Sequence, residues 1–282
     1  MTEPAEEDVA IAGAACRLYR QAPSWEGRRT AAVGKFRCES ADAGAALLEA
    51  CAGRLAREGF QAIIGPMDGD TWHSYRVVTE SDGSPPFLME PVSGPQDRSA
   101  FAASGFAVLS DYVSTRTSLD AAIGPSPAAM DGVEVTPWDG GDAARLIGQL
   151  FALSAGAFAR NAFFKPLDQA GFLKLYEPVM PLIDRRFVLF ARDRDGELAG
   201  FLFGLPNRLE GASPRTAILK TYASLKRGVG HLLADQFHRR AREAGFTHAI
   251  HALMHVDNIS LERSKRYQGT VFRRYALTGR QL

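Results

Sequence analysis

The stretch Ile218-Leu-Lys-Thr-Tyr222-Ala-Ser-Leu-Lys-Arg227-Gly-Val-Gly230-His-Leu-Leu233 holds residue types suited to gripping an anion. Its apolar start predicts a strand, and the periodic run after it predicts a helix. Between them lie Lys226, Arg227, Gly228, Val229, Gly230 and His231. Glycines let backbone N–H groups approach a ligand without Cβ interference. A helix start offers N–H donors with no intrahelical partner and a partial positive charge. Lys226 and Arg227 add full charges. The combination suits a diphosphate. The spacing does not give GxxxxGK[ST], and Gly228-Val-Gly230-His-Leu-Leu233 lacks the third small residue of a dinucleotide fingerprint. A Gly-x-Gly by itself also serves simply to shape a tight strand-to-helix turn.

Hydrophobic periodicity supplies the elements that must position this loop. Before it come a strand near 132–137, helices over 142–158 and 168–184, and a hairpin of 187–191 with 198–204 around an Asp-Gly turn. The loop joins a strand at 217–223 to a helix at 229–244, whose Val229, Leu233, Phe237 and Ala241 form one row. A strand at 247–253, a short helix at 258–267 and a strand at 270–278 follow. In the first half, strands are expected at 11–19, 30–38, 61–65 and 105–117. A helix is expected at 41–58, ending at Gly59. The Pro-containing stretch 124–131 reads as a linker. AREGFQAIIGPM at 56–67 is echoed by AREAGFTHAIHALM at 241–254. In both, a helix turns through Gly-Phe into an Ala-Ile strand. A polar turn, a helix-like stretch and a terminal strand then follow, which points to domain duplication.

The order of elements over 133–278, with Leu225-Lys-Arg-Gly228-Val-Gly230 at its centre, resembles the GNAT superfamily of coenzyme A-dependent acyltransferases. That family's loop reads [QR]-x-x-G-x-[GA]. Both glycines match, and Leu225 departs from the first position. A later family motif begins with Asn and small residues, matched by Asn258 and Ser260, with Gly269 eleven positions on. Lys265 stands where the family has Tyr, with Tyr267 two residues later, and Thr270 replaces a Phe. The resemblance implies an α/β chain of two GNAT-like domains in tandem, with mixed central sheets flanked by helices. Residues 132–282 would bind acyl-CoA. Residues 1–123 would be a degenerate domain without a coenzyme loop, since Cys38-Glu-Ser-Ala-Asp-Ala-Gly44 offers two carboxylates where phosphate would sit.

The resemblance also implies roles. The pantetheine arm would pair with backbone near Lys220, Thr221 and Tyr222. The diphosphate would sit on the N–H groups from Arg227 to His231, with Lys226, Asn258 and Ser260 beside them. A backbone N–H of the 217–223 strand would hold the oxyanion of the thioester adduct. Tyr267 would be the general acid, and His251 or His255 the base. The bland alternatives are a packing Tyr and a satisfied core His. Arg160 and Asn161 would gate the acceptor. Trp72 and Arg76, in the polar and aromatic run 68–76, are further acceptor candidates. Arg263, Lys265, Arg266, Arg273 and Arg274 are candidates for the coenzyme's 3′-phosphate, but read mostly as a solvated face. The implied activity is acyl-CoA-dependent N-acyl transfer, most simply of acetyl from acetyl-CoA to a primary amine of a small molecule or peptide. The rivals are a non-catalytic CoA-binding or regulatory protein and a transferase of longer acyl groups.

Composition limits the partners. The 282 residues carry 33 Lys and Arg against 32 Asp and Glu, a net charge of +1 that gives no general pull towards nucleic acid or anionic membrane. No apolar run reaches transmembrane length. The acidic amino terminus does not read as a signal peptide. Cys16, Cys38 and Cys51 show neither a disulfide framework nor zinc spacing. The expectation is a cytoplasmic monomer or homodimer without metal.

Overall fold

The computed structural model describes residues 4–141, 143–159 and 161–282. In the first half, β1 (Glu6–Ile11) and β2 (Ala14–Tyr19) form a hairpin. The single strand expected at 11–19 is thus interrupted, because Gly13 takes φ +76° and turns the chain. β3 (Thr30–Cys38) runs antiparallel to β2. Helix α1 (Ala41–Arg57) starts where the Ser40 side chain accepts the Ala43 N–H. It buries Leu47, Leu48, Cys51 and Leu55 and leads to β4 (Ala62–Gly65), parallel to β3. β5 (Val77–Ser81), α2 (Asp97–Ala103), β6 (Ala107–Ser118) and α3 (Leu119–Ala122) complete this half. The helix-like stretch expected after the polar turn at 68–71 is instead more turn followed by β5.

The second half runs β7 (Val133–Pro137), α4 (Ala143–Phe158), α5 (Gln169–Tyr176), β8 (Val188–Asp193), β9 (Leu198–Pro206) and β10 (Thr216–Ser224). It ends with α6 (Val229–Glu243), β11 (His248–His255), α7 (Ile259–Arg266) and β12 (Thr270–Gln281). The helix expected to run to 184 stops at Tyr176 and tightens into a 3₁₀ turn holding Pro178 and Pro181.

The echoed sequence is a recurring helix–turn–strand unit. Both α1 and α6 end in a left-handed glycine, Gly59 at φ +80° and Gly245 at φ +89°. In both, the next Phe donates its N–H back to the last helical turn, Phe60 to the Leu55 carbonyl and Phe246 to the Ala241 carbonyl, each at 3.0 Å. Each helix then delivers a strand parallel to the one before it, β4 beside β3 and β11 beside β10.

The halves do not keep separate sheets. One sheet of 12 strands runs β1-β2-β3-β4-β12-β6-β11-β10-β9-β8-β7, with β5 paired to β12 off this path. The halves exchange their last strands. β6 of the first half pairs with β11, and β12 of the second half pairs with β4. The two exchanged strands lie antiparallel to one another at the centre. Tyr275 and Leu277 of β12 are fully buried there. No described helix is long and apolar enough to cross a membrane.

Candidate functional site

The site begins as a fork between two parallel strands. β10 and β11 pair from Thr216↔His248 to Leu219↔His251 and then part. At that point the register of β10 against β9 shifts between Leu219 and Thr221, so Lys220 is the extra residue of a bulge. β11 bulges too, between His251 and Met254 in its pairing with β6, where Leu253 adopts φ +57°. Beyond the fork, Lys220, Thr221 and Tyr222 keep β9 on one side and have no strand on the other. Their open backbone edge is free to pair with an extended ligand. In the first half the corresponding opening is closed by the chain itself. The Met67 N–H donates to the Val33 carbonyl at 2.8 Å, and the Asp68 carboxylate accepts the Lys35 N–H at 2.7 Å.

The loop from β10 to α6 lies at the end of this fork. Gly228 takes φ +93°, which opens the helix start. Among the described residues, the N–H groups of Arg227, Gly228 and Gly230 meet no protein acceptor. The His231 N–H is committed to the Gly228 carbonyl at 2.9 Å, and the Val229 N–H leans on Lys226 at 3.4 Å. The open N–H groups are thus fewer than the full run from Arg227 to His231. Val229 contributes a fully buried side chain that anchors the helix. Lys226 turns away to form an ion pair with Asp193 at 2.5 Å. The Arg263 guanidinium of α7 occupies the space where a Gly230 side chain would stand. Arg263 also donates to the Tyr222 hydroxyl at 3.3 Å. Asn258 caps α7 by accepting the Ser260 N–H at 3.0 Å.

The fork opens into a cavity of about 950 Å³ walled by both halves. Trp72, Arg76, Asn161, Lys220, Thr221, Tyr222, His251, His255, Asn258, Ser260 and Tyr267 all line it. Arg160 lies outside the described residues. Trp72 fastens the halves together. Its indole N–H donates to the Lys165 carbonyl at 2.8 Å, and its ring meets those of Phe158, Phe164 and Phe172. Arg76 sits in a corner of two perpendicular rings, 3.9 Å from the centroid of Tyr75 and 3.9 Å from that of Tyr112.

The acid–base candidates differ in their freedom. His251 is buried, and its Nε2 lies 2.8 Å from Nε2 of the equally buried His238. Its Nδ1 lies 2.7 Å from the Ser264 hydroxyl, which is 2.6 Å from Thr115. Burial pushes His251 down to about 4, so the ring stays neutral. The Tyr267 hydroxyl is held 2.6 Å from His231 Nδ1, and burial raises its pKa. His255 faces the cavity. Its Nδ1 accepts the Asp257 N–H at 3.1 Å, which leaves the proton of the neutral ring on Nε2.

Other residues here carry no local sequence signal. Met89, Glu90 and Pro91 reach the cavity from the Pro-rich stretch before α2. Arg273, read as part of a solvated face, is instead buried against Glu90 at 3.2 Å. Glu90 also accepts the Tyr275 hydroxyl. Asp70 and His73 form a pair at 2.7 Å beside the cavity, and this bond raises the His73 pKa. Among the described residues no cluster of three or more His, Cys, Asp or Glu converges as a metal site would need.

Neither a family model nor a curated protein matches the sequence. Solved structures do match the fold. A GCN5-related N-acetyltransferase from Sphaerobacter thermophilus aligns at 13% identity and TM-score 0.60, over 95% of this chain and 76% of that one. A tandem GNAT protein from the clavulanic acid biosynthesis pathway aligns at 15% identity and TM-score 0.59, over 99% and 84%. A glucosamine N-acetyltransferase region of a fungal multi-domain β-N-acetylglucosaminidase aligns at 12% identity and TM-score 0.57, over 95% and 31%. The overall fold is therefore that of the GCN5-related N-acetyltransferases, which this chain carries in a tandem arrangement.

Proposed function

We propose that the protein is an acyl-CoA-dependent N-acyltransferase. In its simplest form it moves acetyl from acetyl-CoA to a primary amine of a small molecule or peptide. The observation that carries this reading is the β10/β11 fork, with its unpaired edge at Lys220–Tyr222 and its glycine loop at Arg227–Gly230. The pantetheine would extend along that edge, and the diphosphate would meet the unpaired N–H groups and the Arg227 and Arg263 guanidinium groups. Residues 132–282 would hold the coenzyme, and the closed fork of residues 1–123 would leave that half without one.

The amine attacks the thioester carbonyl, and a fork-side N–H of β10 stabilises the resulting oxyanion. Collapse releases the CoA thiolate and the amide. The Arg76 guanidinium in the cavity wall favours the neutral form of an incoming amine. The acceptor's proton can leave through the open cavity, assisted by His255 once its ring turns. Tyr267, which lines the cavity, would protonate the thiolate on giving up its bond to His231. A CoA-binding protein without turnover is the second reading. It is favoured by the engagement of His251 and Tyr267 in internal bonds. Thiol release from acetyl-CoA across a panel of amines separates the two. Amine-dependent release supports the transferase. CoA binding without release on any amine supports the second reading.

A further inference from the structure

Arg76 is more constrained than a solvated Arg has any reason to be. It is 7% exposed and takes φ +92°, a backbone conformation that bulky L-residues rarely adopt. Strain of this kind persists where surrounding structure enforces it, and it concentrates at ligand sites. The Tyr75 and Tyr112 rings cradle the cation but take up little of its hydrogen-bonding capacity. Among the described residues its side chain donates only from Nη2, to the Tyr75 hydroxyl, and its Nε is buried without a partner. A buried guanidinium without a carboxylate is costly, because a charge removed from water needs a counter-charge or full hydrogen bonding.

Lys220 stands at the same cavity wall, on the bulge where the fork opens. Its ammonium donates to the Met89 carbonyl at 3.0 Å and forms no ion pair among the described residues. Burial first, and then the charge of Arg76, push its pKa down to about 7, with Glu90 pulling the other way. The carboxylates that line the cavity do not neutralise this pair. Glu90 is committed to Arg273, Tyr275 and the Phe87 N–H. Asp68 is held by the Lys35 N–H, and the Asp257 side chain is 88% exposed.

We propose that Arg76 and Lys220 form a carboxylate-binding subsite at the mouth of the fork, so that one of the two substrates carries a free carboxylate. A carboxylate matches the in-plane donors of a guanidinium, supplies the missing counter-charge for Arg76 and favours the charged form of Lys220 beside it. It belongs either to the acceptor, as in an amino acid, or to the acyl chain, as in a dicarboxylic acyl thioester. The proposal rests on the acyltransferase reading for its chemistry, but the subsite itself does not need the coenzyme.

Isothermal titration on the full-length chain tests it. CoA alone reports on the glycine loop. Succinyl-CoA against acetyl-CoA reports a carboxylate on the acyl chain. A panel of L-amino acids against their amides, with and without saturating CoA, reports a carboxylate on the acceptor. In one arm the carboxylate-bearing member is expected to bind at least about tenfold tighter than its neutral counterpart, a difference of about 1.4 kcal/mol. Arg76→Gln should reduce that preference to about twofold or less while the Kd for CoA stays within about twofold. Lys220→Met provides a second variant and should also weaken the preference. A lack of preference in both arms overturns the subsite, as does a preference that survives both substitutions. Failure of CoA to bind would count against the acyltransferase reading instead, and the amino-acid arm without CoA would still decide the subsite.

Discussion

A side chain at residue 230 would collide with the Arg263 guanidinium and crowd Tyr222, at the helix start whose N–H groups are open. Gly230→Glu would also place a carboxylate against the proposed diphosphate. It is expected to weaken CoA binding by at least about tenfold, or about 1.4 kcal/mol, in calorimetric titration. Unchanged affinity would remove the loop from the site. The His238–His251 pair makes a separate prediction. The tautomers that leave no buried N–H unpaired put the His238 proton on Nε2, donating to His251, and the His251 proton on Nδ1, donating to Ser264. Burial lowers His251 from 6.5 to about 4, so between these values the unfolded chain binds a proton that the folded chain refuses. Stability should therefore fall as pH drops through that window, with about 3 kcal/mol from His251, and His238, which burial lowers well below 6.5, adds to the same loss. Urea unfolding at a series of pH values measures the slope, and His251→Gln should reduce it. The glycine loop was legible in sequence because its glycines, cations and helix start are consecutive. The Arg76–Lys220 juxtaposition was not, since the residues are far apart in the chain and meet only through the cavity.

The elements were read from periodicity with good fidelity where one apolar face dominates, as in α1 and α6. The AREGF and AREAGF echoes proved to be one helix-ending turn used twice. Gly245 has no atom within 4 Å of an added Cβ, so a substitution there acts through the backbone alone. Gly245→Ala should cost about 1 kcal/mol or more at φ +89°, seen as a lower urea midpoint with unchanged slope. A neutral result would mean that the turn is not what ends the helix. Elements placed by distant contacts were harder to see. The stretch before α2 carries Phe87 into the core of the second half and hands the Leu88 N–H to Asn207 at 2.9 Å. Its Pro and Gly content marks an irregular segment, and nothing local indicates which surface it covers.

At the scale of the whole molecule, the exchanged strands were the feature that sequence could not show. β6 and β12 each carry a continuous buried run, as central strands do, and that pattern alone leaves the partner open. The exchange makes each half depend on the other, since β4 loses one of its two neighbours without β12 and β11 loses one of its two without β6. Residues 1–126 and 127–282 produced separately should each give poorly dispersed amide NMR spectra, and mixing them should restore a single species by size exclusion. Two independently folded fragments would contradict the exchange. The same central strands bring the first half's Arg76 and Tyr112 to the cavity at the second half's fork, so the site belongs to neither half alone. A crystal structure of the full chain with CoA tests the central claim most directly. The pantetheine should lie along Lys220–Tyr222 in the β10/β11 fork, with its diphosphate on the N–H groups of Arg227, Gly228 and Gly230. A coenzyme bound at β3 and β4, or one that leaves the fork empty, would contradict it.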